Sequence, residues 1–245
     1  FFSRKTYFYP DMSKNFQITQ YEVPVGESGS IEVKVGDNQK EIGITRIHIE
    51  EDPAKMKHVG GSVSKSNYTK VDYNRAGTPL IEIVTDPDFK SPEEARAYLQ
   101  QLAQMLEYLD LYQSDSDYSI KSDANISIDG GQRVEVKNIT GTSEVEKALN
   151  YEISRQKQLA KRGREVEQHT RSFNSGTGAT EELRSKETEE DYGYIFDPDL
   201  TRQELDEKLR KEIRESLPEL PHEKFERFGE EYGLKDKLIE SLVTE

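Results

Sequence analysis

The sequence predicts an α+β fold that is built largely on antiparallel strands. Apolar and polar residues alternate over residues 30–35 and 124–139, turn sequences interrupt the alternating segments, and two long segments in the first 200 residues show helical spacing instead. Antiparallel strands with one buried face give this alternation. After residue 200 short helical segments follow one another. We therefore expect a strand-rich region followed by the start of an all-helical one.

A β-hairpin with a bulge is predicted near the start of the chain. Residues 30–35 alternate apolar and charged side chains, and Gly36-Asp37-Asn38 favours a tight turn. The return strand places apolar side chains at Ile42 and Ile44 but then at Ile47 and Ile49. The phase therefore changes near Thr45-Arg46, and one extra residue, a β-bulge, would produce that change.

Further strands are predicted at residues 80–84 and in a second hairpin. In that hairpin residues 124–128 pair with residues 133–139 around Asp129-Gly130-Gly131. Residues 171–186, rich in Ser, Thr and Gly, are predicted to form an exposed loop or an irregular hairpin.

Two longer helices interrupt the strands. The first begins at Ser91, where an N-cap residue, Pro92 in the first turn and Glu94 form a start signal. The second runs from about residue 143 to residue 162, and Gly163 stands where a C-cap is expected.

A domain boundary is predicted near residue 200. Thr201-Arg202-Gln203-Glu204 resembles a capping box, and three short helices with breaks at Pro218, Pro221 and Gly233 are expected to follow. Residues 1–200 and 201–245 are therefore interpreted as two domains.

The composition excludes several classes of protein. The 245 residues include no cysteine, which excludes a disulfide framework, a thiolate nucleophile and cysteine-ligated metals. No apolar run approaches the roughly 18 residues of a membrane helix, so a soluble, cytoplasmic protein is expected. A net charge of −14 argues against a general nucleic-acid-binding surface. The chain starts at Phe1 and stops within an apparent helix, so we expect an internal piece of a longer protein.

Common catalytic motifs are absent from the sequence. It contains no Walker-type phosphate loop, no dinucleotide fingerprint, no His-Glu-x-x-His and no nucleophile elbow. The common nucleotide-binding and hydrolase interpretations therefore have no support from motifs.

The first candidate site is an acidic triplet, Glu50-Glu51-Asp52, at the end of the bulged strand. Carboxylates that converge at a strand end suit magnesium, which takes one or two of them together with water and phosphate oxygens. The alternative is a solvated acidic turn. His48, two residues before the triplet, is more often a structural histidine than a ligand in such a position.

The second candidate site is one face of the second hairpin. Alternation places Asp123, Asn125 and Ser127 on the same face, and it places Glu135 and Lys137 on the polar face of the partner strand. The hairpin thus collects two acids, a lysine and an amide. Ion pairs on a solvated sheet face would give the same pattern, so both interpretations stay open.

Two further segments contain charged and aromatic residues that suit a binding site. Arg4 to Asp11 joins two cations to three aromatic rings, which can bind phosphate and stack a base or can form an edge strand. Asp72 to Pro79 is a polar turn that leads into an apolar strand containing Glu82. A carboxylate among apolar neighbours requires a partner or a function.

Taken in order, these segments resemble the GatB family, the B subunits of tRNA-dependent amidotransferases. That family carries Arg-Lys-x-Tyr-Phe-Tyr-Pro-Asp, Arg-x-His-x-Glu-Glu-Asp, Asp-Ala-Asn-x-Ser and three further motifs in the same order. The matching segments here are Arg4 to Asp11, Gln17 to Gln20, Arg46 to Asp52, Asp72 to Val84, Asp123 to Ser127 and Asp191 to Tyr194. Lys121-Ser122, where bacterial members usually have Arg-Cys, and Tyr194 to Asp197 resemble the archaeal branch.

The resemblance implies an α+β cradle that precedes a helical domain and a tRNA-binding tail. On this basis residues 1–200 are the cradle without its N-terminal strands, which carry the Glu-x-His metal ligands of the family. Residues 201–245 are the beginning of the helical domain.

The resemblance also implies a reaction. ATP with Mg²⁺ phosphorylates the side-chain carboxylate of misacylated Glu-tRNA(Gln) or Asp-tRNA(Asn). Ammonia delivered by the amidase (glutaminase) subunit then displaces phosphate. The amidase subunit, the small third subunit of the heterotrimer and misacylated tRNA are the implied partners.

Individual roles follow from the matched motifs. Glu50 and Glu51 are expected to bind magnesium, Glu51 as the principal ligand, with Asp123 as a further ligand or water anchor on the same side of the sheet. Lys5 is expected to bind the nucleotide phosphates. The remaining roles are orientation of the substrate, assigned to Tyr7 and Arg75, and formation of the acyl-phosphate pocket, assigned to Glu135 and Lys137.

Three alternatives stay open. GatE, the related subunit of the archaeal Glu-tRNA(Gln) amidotransferase, has the same chemistry, although Lys137-Asn138-Ile139 followed by an uninterrupted helix favours GatB. A non-catalytic tRNA-docking protein is the second alternative, and the retained acids together with Lys5 argue against it. A small-molecule carboxylate–amine ligase is the third, and it would need a glycine-rich nucleotide loop that is absent.

Overall fold

The computed structural model describes residues 1–6, 8–36, 38–60, 66–114, 120–128, 131–183 and 192–244. The chain divides into two compact units. Unit 1 contains Phe1–Ser30, Ile42–Asp88 and Glu187–Glu204, and unit 2 contains Ile31–Glu41, Phe89–Lys186 and Leu205–Glu245. Antiparallel sheets dominate and helices accompany them, which confirms the predicted α+β class. The predicted domain boundary near residue 200 stays a prediction.

Unit 1 contains most of a sheet in the order β12-β1-β2-β4-β3, with β7 paired to β4, while the hairpin end of β3 and β4, Ile31–Glu41, belongs to unit 2. Its strands are β1 (Ser3–Thr6), β2 (Phe16–Thr19), β3 (Gly26–Val35), β4 (Asn38–Glu51), β7 (Pro79–Thr85) and β12 (Tyr194–Phe196). β5 (Lys55–Val59) and β6 (Tyr68–Asp72) form a separate antiparallel ribbon. The predicted first hairpin is confirmed as β3 and β4, and the predicted strand at residues 80–84 is confirmed as β7.

The predicted bulge in β4 is present. Ile44 pairs with Thr85 and Arg46 with Val84, so Thr45 is the extra residue. Gly43 comes just before the bulge, and a Cβ at this position would lie 2.2 Å from Asp86 Oδ2. Any larger residue there would therefore displace the Asp86 side chain.

β1 lies between two antiparallel neighbours, β2 and β12, so the edge-strand alternative for the Arg4 segment is wrong. The error arose because β12 follows β1 by almost 190 residues and local patterns do not reveal such a pairing. The Arg4 guanidinium donates to Asp197 Oδ2 at 2.8 Å and to Asp199 Oδ2 at 2.6 Å. Arg4 thereby links β1 to the segment that follows β12.

Unit 2 contains a four-stranded sheet in the order β11-β10-β9-β8. Its strands are β8 (Lys121–Ile126), β9 (Val134–Thr140), β10 (Thr170–Asn174) and β11 (Ala179–Glu182). β8 and β9 are the predicted second hairpin, whose tip lies partly outside the described residues. β10 and β11 pair antiparallel, so the hairpin alternative for residues 171–186 is correct over the described part, while residues 184–186 lie outside it.

The two long helices are α1 (Pro92–Tyr108) and α2 (Thr142–Lys161). Ser91 caps α1, because its hydroxyl accepts from the Glu94 backbone N–H at 3.3 Å. Gly163 follows α2 with a φ of +66°, the left-handed conformation that favours glycine after a helix. Both predicted helix boundaries are therefore correct to within about one residue.

The short helices are α3 (Glu207–Ser216), α4 (Pro221–Tyr232) and α5 (Asp236–Thr244). The predicted start at the Thr201 capping box is wrong, since residues 201–206 are not helical. Asp206 caps α3 instead, because its carboxylate accepts from the Leu209 N–H at 2.7 Å. Within unit 2 the Val243 carbonyl of α5 accepts from Tyr108 of α1 at 2.8 Å.

The core of unit 2 is apolar, with one buried polar network beside it. Buried residues of β8, β9, α2 and β10 form the apolar cluster, namely Ile126, Val134, Val136, Ile139, Val145, Ala148 and Phe173. Glu152 of α2 is 0% exposed, and its carboxylate accepts from Arg155, Gln156 and Thr180 at 2.6 to 3.1 Å. The helical pattern of the sequence did not predict that Glu152 and Gln156 face inward.

Candidate metal centre

A histidine and two glutamates meet on the sheet of unit 1. His48 and Glu50 are two residues apart on β4 and thus share one face of the strand. Glu82 on β7 lies opposite His48 in the antiparallel register. One ligand atom from each of these three side chains lies within 4.8 Å of the other two. We call His48, Glu50 and Glu82 the triad.

The geometry of the triad is centred on His48, which is 0% exposed. Its Nε2 lies 3.3 Å from Glu50 Oε1 and 4.0 Å from Glu82 Oε1. The Glu50 carboxylate also accepts from Thr19 Oγ1 at 3.0 Å and from Gln17 Nε2 at 3.3 Å. The Glu82 side chain is 47% exposed, so the triad opens to solvent on the side of β7.

The two glutamates have pKa values displaced in opposite directions. Burial opposes ionisation of Glu50, but hydrogen bonds from His48 and Thr19 and the charge of Lys5 hold its pKa below the ordinary value. Burial and the neighbouring negative charge of Glu50 raise the pKa of Glu82. Two carboxylates at this separation repel each other unless a cation lies between them.

The triad fits a divalent cation. Two carboxylates provide the hard oxygen ligands that Mg²⁺ and Mn²⁺ prefer, and an imidazole nitrogen is a common ligand of transition metals. Within the described part of the chain His48 Nδ1 has no hydrogen-bond partner, although the nitrogen is buried. All the contacts of the ring nitrogens are therefore made through Nε2, on the side of the two acids.

Two cationic side chains lie beside the triad. Lys5 of β1 lies over the ring of Tyr192 at 4.6 Å, and Arg46 of β4 lies over the ring of Tyr21 at 4.0 Å. The charges of both cations favour ionisation of Glu82 and so partly offset the rise in its pKa. Among the described residues neither cation forms an ion pair with a carboxylate. The site therefore combines side chains that could hold a metal with positive charge that no described carboxylate pairs with.

Glu51, the predicted principal ligand, lies next to the triad but outside it. Lys14 Nζ donates to both of its carboxylate oxygens, at 2.6 and 2.5 Å, and the Ile18 N–H donates to Oε2 at 3.3 Å. Glu50 does belong to the triad. Metal binding by Glu51 stays a prediction, and it would require the Lys14 contact to be exchanged or shared.

Of the two residues predicted to orient the substrate, the structure describes only Arg75. Tyr7 lies outside the described residues. Arg75 donates to Asp52 Oδ2 at 2.8 Å, which ties the polar turn after β6 to the last acid of the Glu50-Glu51-Asp52 triplet. Asp52 is buried, so Arg75 pairs with a buried carboxylate.

The second predicted site is assembled in unit 2. Lys137 Nζ donates to Asp123 Oδ2 at 2.9 Å and lies 3.5 Å from Glu135 Oε1. Burial opposes the charge of Lys137, but the two carboxylates raise its pKa. The three predicted side chains are therefore adjacent, as alternation indicated. How Asp123 relates to Glu50 and Glu51 stays a prediction, since the residues belong to different units.

A bulge that the sequence did not reveal shapes this second site. Ser122 pairs with Ile139 and Ala124 with Val136, so β9 contains one extra residue at Lys137–Asn138. Asn138 has a φ of +64°, a conformation that non-glycine residues adopt rarely and often at functional sites. Its amide donates to Ser172 Oγ of β10 at 2.8 Å, which helps to hold the bulge.

Three members of the first site were not assigned from the sequence. His48 was interpreted as structural, Glu82 was left without a partner, and Arg46 received no role. For Arg46 and His48 the sequence did contain a signal, because both occupy alternate positions with Glu50 on one strand and therefore share its face. Glu82 became interpretable only through its register with β4.

None of the described helices combines the length and the apolar character needed to cross a membrane.

Fold and site together define a strand-rich α+β domain with a carboxylate–imidazole triad and adjacent cations. The sequence profile described as the GatB/GatE catalytic domain matches residues 1–211. The chain belongs to this family of catalytic domains.

Individual relatives identify the branch of the family. The chain is 47% identical over 243 residues to the B subunit of the aspartyl/glutamyl-tRNA(Asn/Gln) amidotransferase of Methanosarcina barkeri. It is 50% identical over 246 residues to that of Methanoregula boonei and 45% identical over 259 residues to that of Haloquadratum walsbyi. These alignments cover 99 to 100% of the chain and 49 to 52% of the relatives.

The chain thus spans about half the length of these relatives. They are archaeal and are named as B subunits, which confirms the resemblance inferred from the motifs and favours GatB over GatE.

Proposed function

We propose that this chain is the catalytic part of an amidotransferase B subunit that uses ATP to phosphorylate the side-chain carboxylate of Glu-tRNA(Gln) or Asp-tRNA(Asn). The observation that carries the proposal is the triad with Lys5 and Arg46 beside it, in a member of this family. Metal ligands next to cations that no described carboxylate neutralises are what phosphoryl transfer requires, because that reaction depends on positioning and charge stabilisation.

The proposed reaction has two balanced steps. In the first, an oxygen of the substrate carboxylate attacks the γ-phosphorus of ATP, the bond to the bridging oxygen breaks, and ADP leaves. In the second, ammonia attacks the acyl carbon, the acyl–phosphate bond breaks, and inorganic phosphate leaves with the electron pair. The product is Gln-tRNA or Asn-tRNA, and ammonia loses one proton to solvent or to a nearby base.

In this proposal His48, Glu50 and Glu82 hold a divalent cation such as Mg²⁺. When bound, the cation neutralises phosphate charge and orients phosphate oxygens. Lys5 binds the nucleotide phosphates, since its ammonium lies beside the triad and forms no ion pair with a described carboxylate. Glu51 is proposed as an additional ligand, and Lys14 holds its carboxylate in place until the cation binds.

The second cluster is proposed to serve the acyl phosphate. Lys137 would offset its charge, and Asp123 and Glu135 position the lysine, as their distances to Nζ support. Asp123 is also proposed as a further metal ligand. Tyr7 and Arg75 are proposed to orient the substrate.

The partners follow from the same proposal. The amidase subunit would deliver ammonia and the small third subunit would join the two, in the cytoplasm, with misacylated tRNA as substrate. An acidic chain with a net charge of −14 would leave most of the RNA contacts to the rest of the protein. We propose that residues 1–200 form the cradle; the all-helical domain expected to begin at residue 201 is not in this chain, since the catalytic-domain profile extends to residue 211 and Leu205–Glu245 belongs to unit 2 together with α1 and α2.

The test compares Glu50→Ala, Glu51→Ala and the control Glu27→Ala in the full-length protein assembled with its partner subunits. Glu27 is an exposed residue of β3 in the same unit. Glu50→Ala should slow tRNA-dependent ATP hydrolysis at least about a hundredfold, because loss of one charged ligand removes a few kcal/mol of transition-state stabilisation. The control variant should retain wild-type activity.

Glu51→Ala separates two versions of the site. A loss as large as that of Glu50→Ala would support Glu51 as a ligand, whereas a small loss would restrict the ligands on β4 to the triad. Glutaminase activity at the partner's own site serves as the assembly control. If Glu50→Ala retains near-normal tRNA-dependent ATP turnover, the proposed function is wrong for this site, and a tRNA-docking role without catalysis becomes the better explanation.

A further inference from the structure

Arg46 lies on the face of β4 that carries His48 and Glu50. The three residues occupy alternate positions in one uninterrupted register after the bulge. The extra residue Thr45 changes the phase of the strand before Arg46, so buried Ile44 belongs to a segment of different phase. Two members of the triad therefore share their strand face with a guanidinium.

The guanidinium of Arg46 lies over an aromatic ring. Arg46 Cζ lies 4.0 Å from the centroid of the Tyr21 ring. Tyr21 stacks on Tyr194 at 5.4 Å and meets the His48 ring edge-to-face at 6.3 Å. Both the cation and the metal-ligating histidine therefore pack against one tyrosine, which limits their relative movement.

The donors of Arg46 find no acceptor in the described part of the chain. Across those residues its guanidinium forms no hydrogen bond and no ion pair, and its Nε is enclosed without a partner. Other arginines of the chain are bonded, including Arg4 to Asp197 and Arg155 to Glu152. A polar group left without a partner in the interior destabilises a protein by about 1–3 kcal/mol. An arginine kept in this state suits an anionic ligand that binds during function.

The chemistry of the proposed reaction requires such a group. A substrate carboxylate must approach the triphosphate of ATP, and the two anions repel each other. A guanidinium presents two parallel N–H donors that match the two oxygens of a carboxylate, whereas an ammonium acts as a point charge. Lys5 therefore suits phosphate, and Arg46 suits the carboxylate that accepts the phosphoryl group.

We propose that Arg46 binds the side-chain carboxylate of the aminoacyl group and holds one of its oxygens for attack on the γ-phosphorus of ATP. This inference rests on the proposed function and assigns within it the residue that recognises the acceptor. The guanidinium offsets the negative charge of the carboxylate and leaves one oxygen lone pair directed to the nucleotide. No proton is transferred in this step.

The experiment compares Arg46→Lys with Arg202→Lys in the full-length protein assembled with its partner subunits. Arg202 also lies near an aromatic ring, that of Phe1 at 5.5 Å, but it is exposed and far from the triad in sequence. The acyl phosphate formed on Glu-tRNA or Asp-tRNA is trapped with hydroxylamine in single-turnover experiments, and only the ATP-dependent side-chain hydroxamate is counted, since the aminoacyl ester itself gives an α-hydroxamate. Equilibrium binding of Mg²⁺-ATP and the thermal midpoint are measured for each variant.

Arg46→Lys should lower the rate of acyl-phosphate formation about a hundredfold, as loss of one pre-organised donor pair does at comparable sites. Affinity for Mg²⁺-ATP should change less than about twofold, and the thermal midpoint should stay at or above that of the wild type, because the replaced group has no hydrogen-bond or ion-pair partner among the described residues. Arg202→Lys should match the wild type in all three measurements.

Three results would overturn the inference. Arg46→Lys could form acyl phosphate at the rate of Arg202→Lys. Its affinity for Mg²⁺-ATP could fall in proportion to the rate, which would assign Arg46 to the nucleotide instead. The variant could also be destabilised to the same extent as it is inactivated, which would indicate a structural role.

Chemical rescue gives an independent measurement. Arg46→Ala removes the guanidinium and leaves a cavity over Tyr21, so guanidinium ions at concentrations well below denaturation should restore part of the rate, and ammonium ions should restore less. Equal rescue by both ions would contradict a bidentate contact. If the wild-type complex itself yields no hydroxamate, the proposed function fails, and that outcome is distinct from loss in the variant alone.

Discussion

The two units of this chain bury different kinds of side chain. In unit 1 the buried residues include several polar or charged ones, namely Ser3, Asp11, Thr19, His48, Asp52 and Asp197. In unit 2 an apolar cluster of β8, β9, α2 and β10 dominates, and its buried polar groups belong mostly to the network around Glu152. Burial of apolar surface stabilises a fold, whereas burial of charge requires partners.

The buried charged groups of the two units also differ in their partners. In unit 2 the buried carboxylate of Glu152 is paired with Arg155, Gln156 and Thr180, which gives it a structural role. In unit 1 the two acids of the triad face each other, and over the described ranges the neighbouring cations form no ion pair with them. A cluster of titratable groups with displaced pKa values indicates a functional site more often than a structural one.

The largest effect on stability is expected from Glu152→Ala in unit 2. The substitution removes the acceptor of three side chains and leaves the Arg155 charge partly buried, so the free energy of unfolding should fall by about 3 kcal/mol. Chemical denaturation of the purified protein measures the change. Glu146→Ala is the control, because Glu146 forms an ion pair with the half-exposed Arg96 and its loss should change stability by less than about 1 kcal/mol.

Equal effects of the two substitutions would remove the distinction between the network of unit 2 and an ordinary surface ion pair. The comparison between the units would then rest on the apolar cluster alone.

An intermediate effect is expected from Glu82→Gln, and it concerns cation binding. Loss of one charged ligand should weaken Mn²⁺ binding to the full-length protein at least tenfold, which corresponds to about 1.4 kcal/mol. Isothermal titration measures the affinity, with Glu27→Gln as the control. Unchanged Mn²⁺ affinity in Glu82→Gln would show that the triad does not bind the cation.

The same variant should respond to pH in a defined direction. Glu82 has a raised pKa in the folded protein, so its ionised form destabilises the fold at pH values above that pKa. This destabilisation disappears as the pH falls below the ordinary glutamate value of 4.5. Without metal, Glu82→Gln should therefore be more stable than the wild type at pH 7, by a few tenths of a kcal/mol because the side chain is half exposed, and equal to it near pH 4. A difference that grows on acidification would contradict this sign.

The smallest effect is expected from Tyr98→Phe in α1. Tyr98 is 4% exposed, burial raises its pKa to about 12, and within the described residues its hydroxyl has no hydrogen-bond partner. Its ring meets Phe89 edge-to-face at 5.5 Å, a contact that phenylalanine retains. The free energy of unfolding should rise by about 1 kcal/mol or less. A decrease in the free energy of unfolding, measured by chemical denaturation, would show that the Tyr98 hydroxyl makes a polar contact in the interior of unit 2.

Local patterns predicted much of the fold because the interactions behind them are local. The phase change around Thr45 predicted the bulge, and Ser91 and Gly163 marked helix boundaries through contacts within one turn. The capping box at Thr201 is also a local signal, but the helix start that it predicted is wrong, because Asp206 caps the helix a few residues later. Local signals therefore identify elements well and choose poorly between neighbouring start sites.

The candidate site was predicted less completely because it depends on pairing between distant segments. Glu50 was identified from the acidic triplet, and Asp123, Glu135 and Lys137 from alternation. His48 and Glu82 lie opposite each other because of the antiparallel register of β4 and β7, which the sequence did not reveal. The contact between Glu51 and Lys14 was likewise not predicted. A shift of one residue in that register would turn Glu82 to the opposite face.

The class of fold, the two long helices, the bulged strand and the family could all be predicted from sequence patterns, because hydrophobic periodicity, capping residues and ordered motifs are properties of short segments. Three features became visible only in the folded chain: β1 lies between β2 and β12, Glu152 is buried in a network, and Arg46 lies beside the triad with no acceptor among the described residues. These features depend on strand register and packing between residues far apart in the chain, and a local sequence pattern contains no information about which distant groups share a desolvated site.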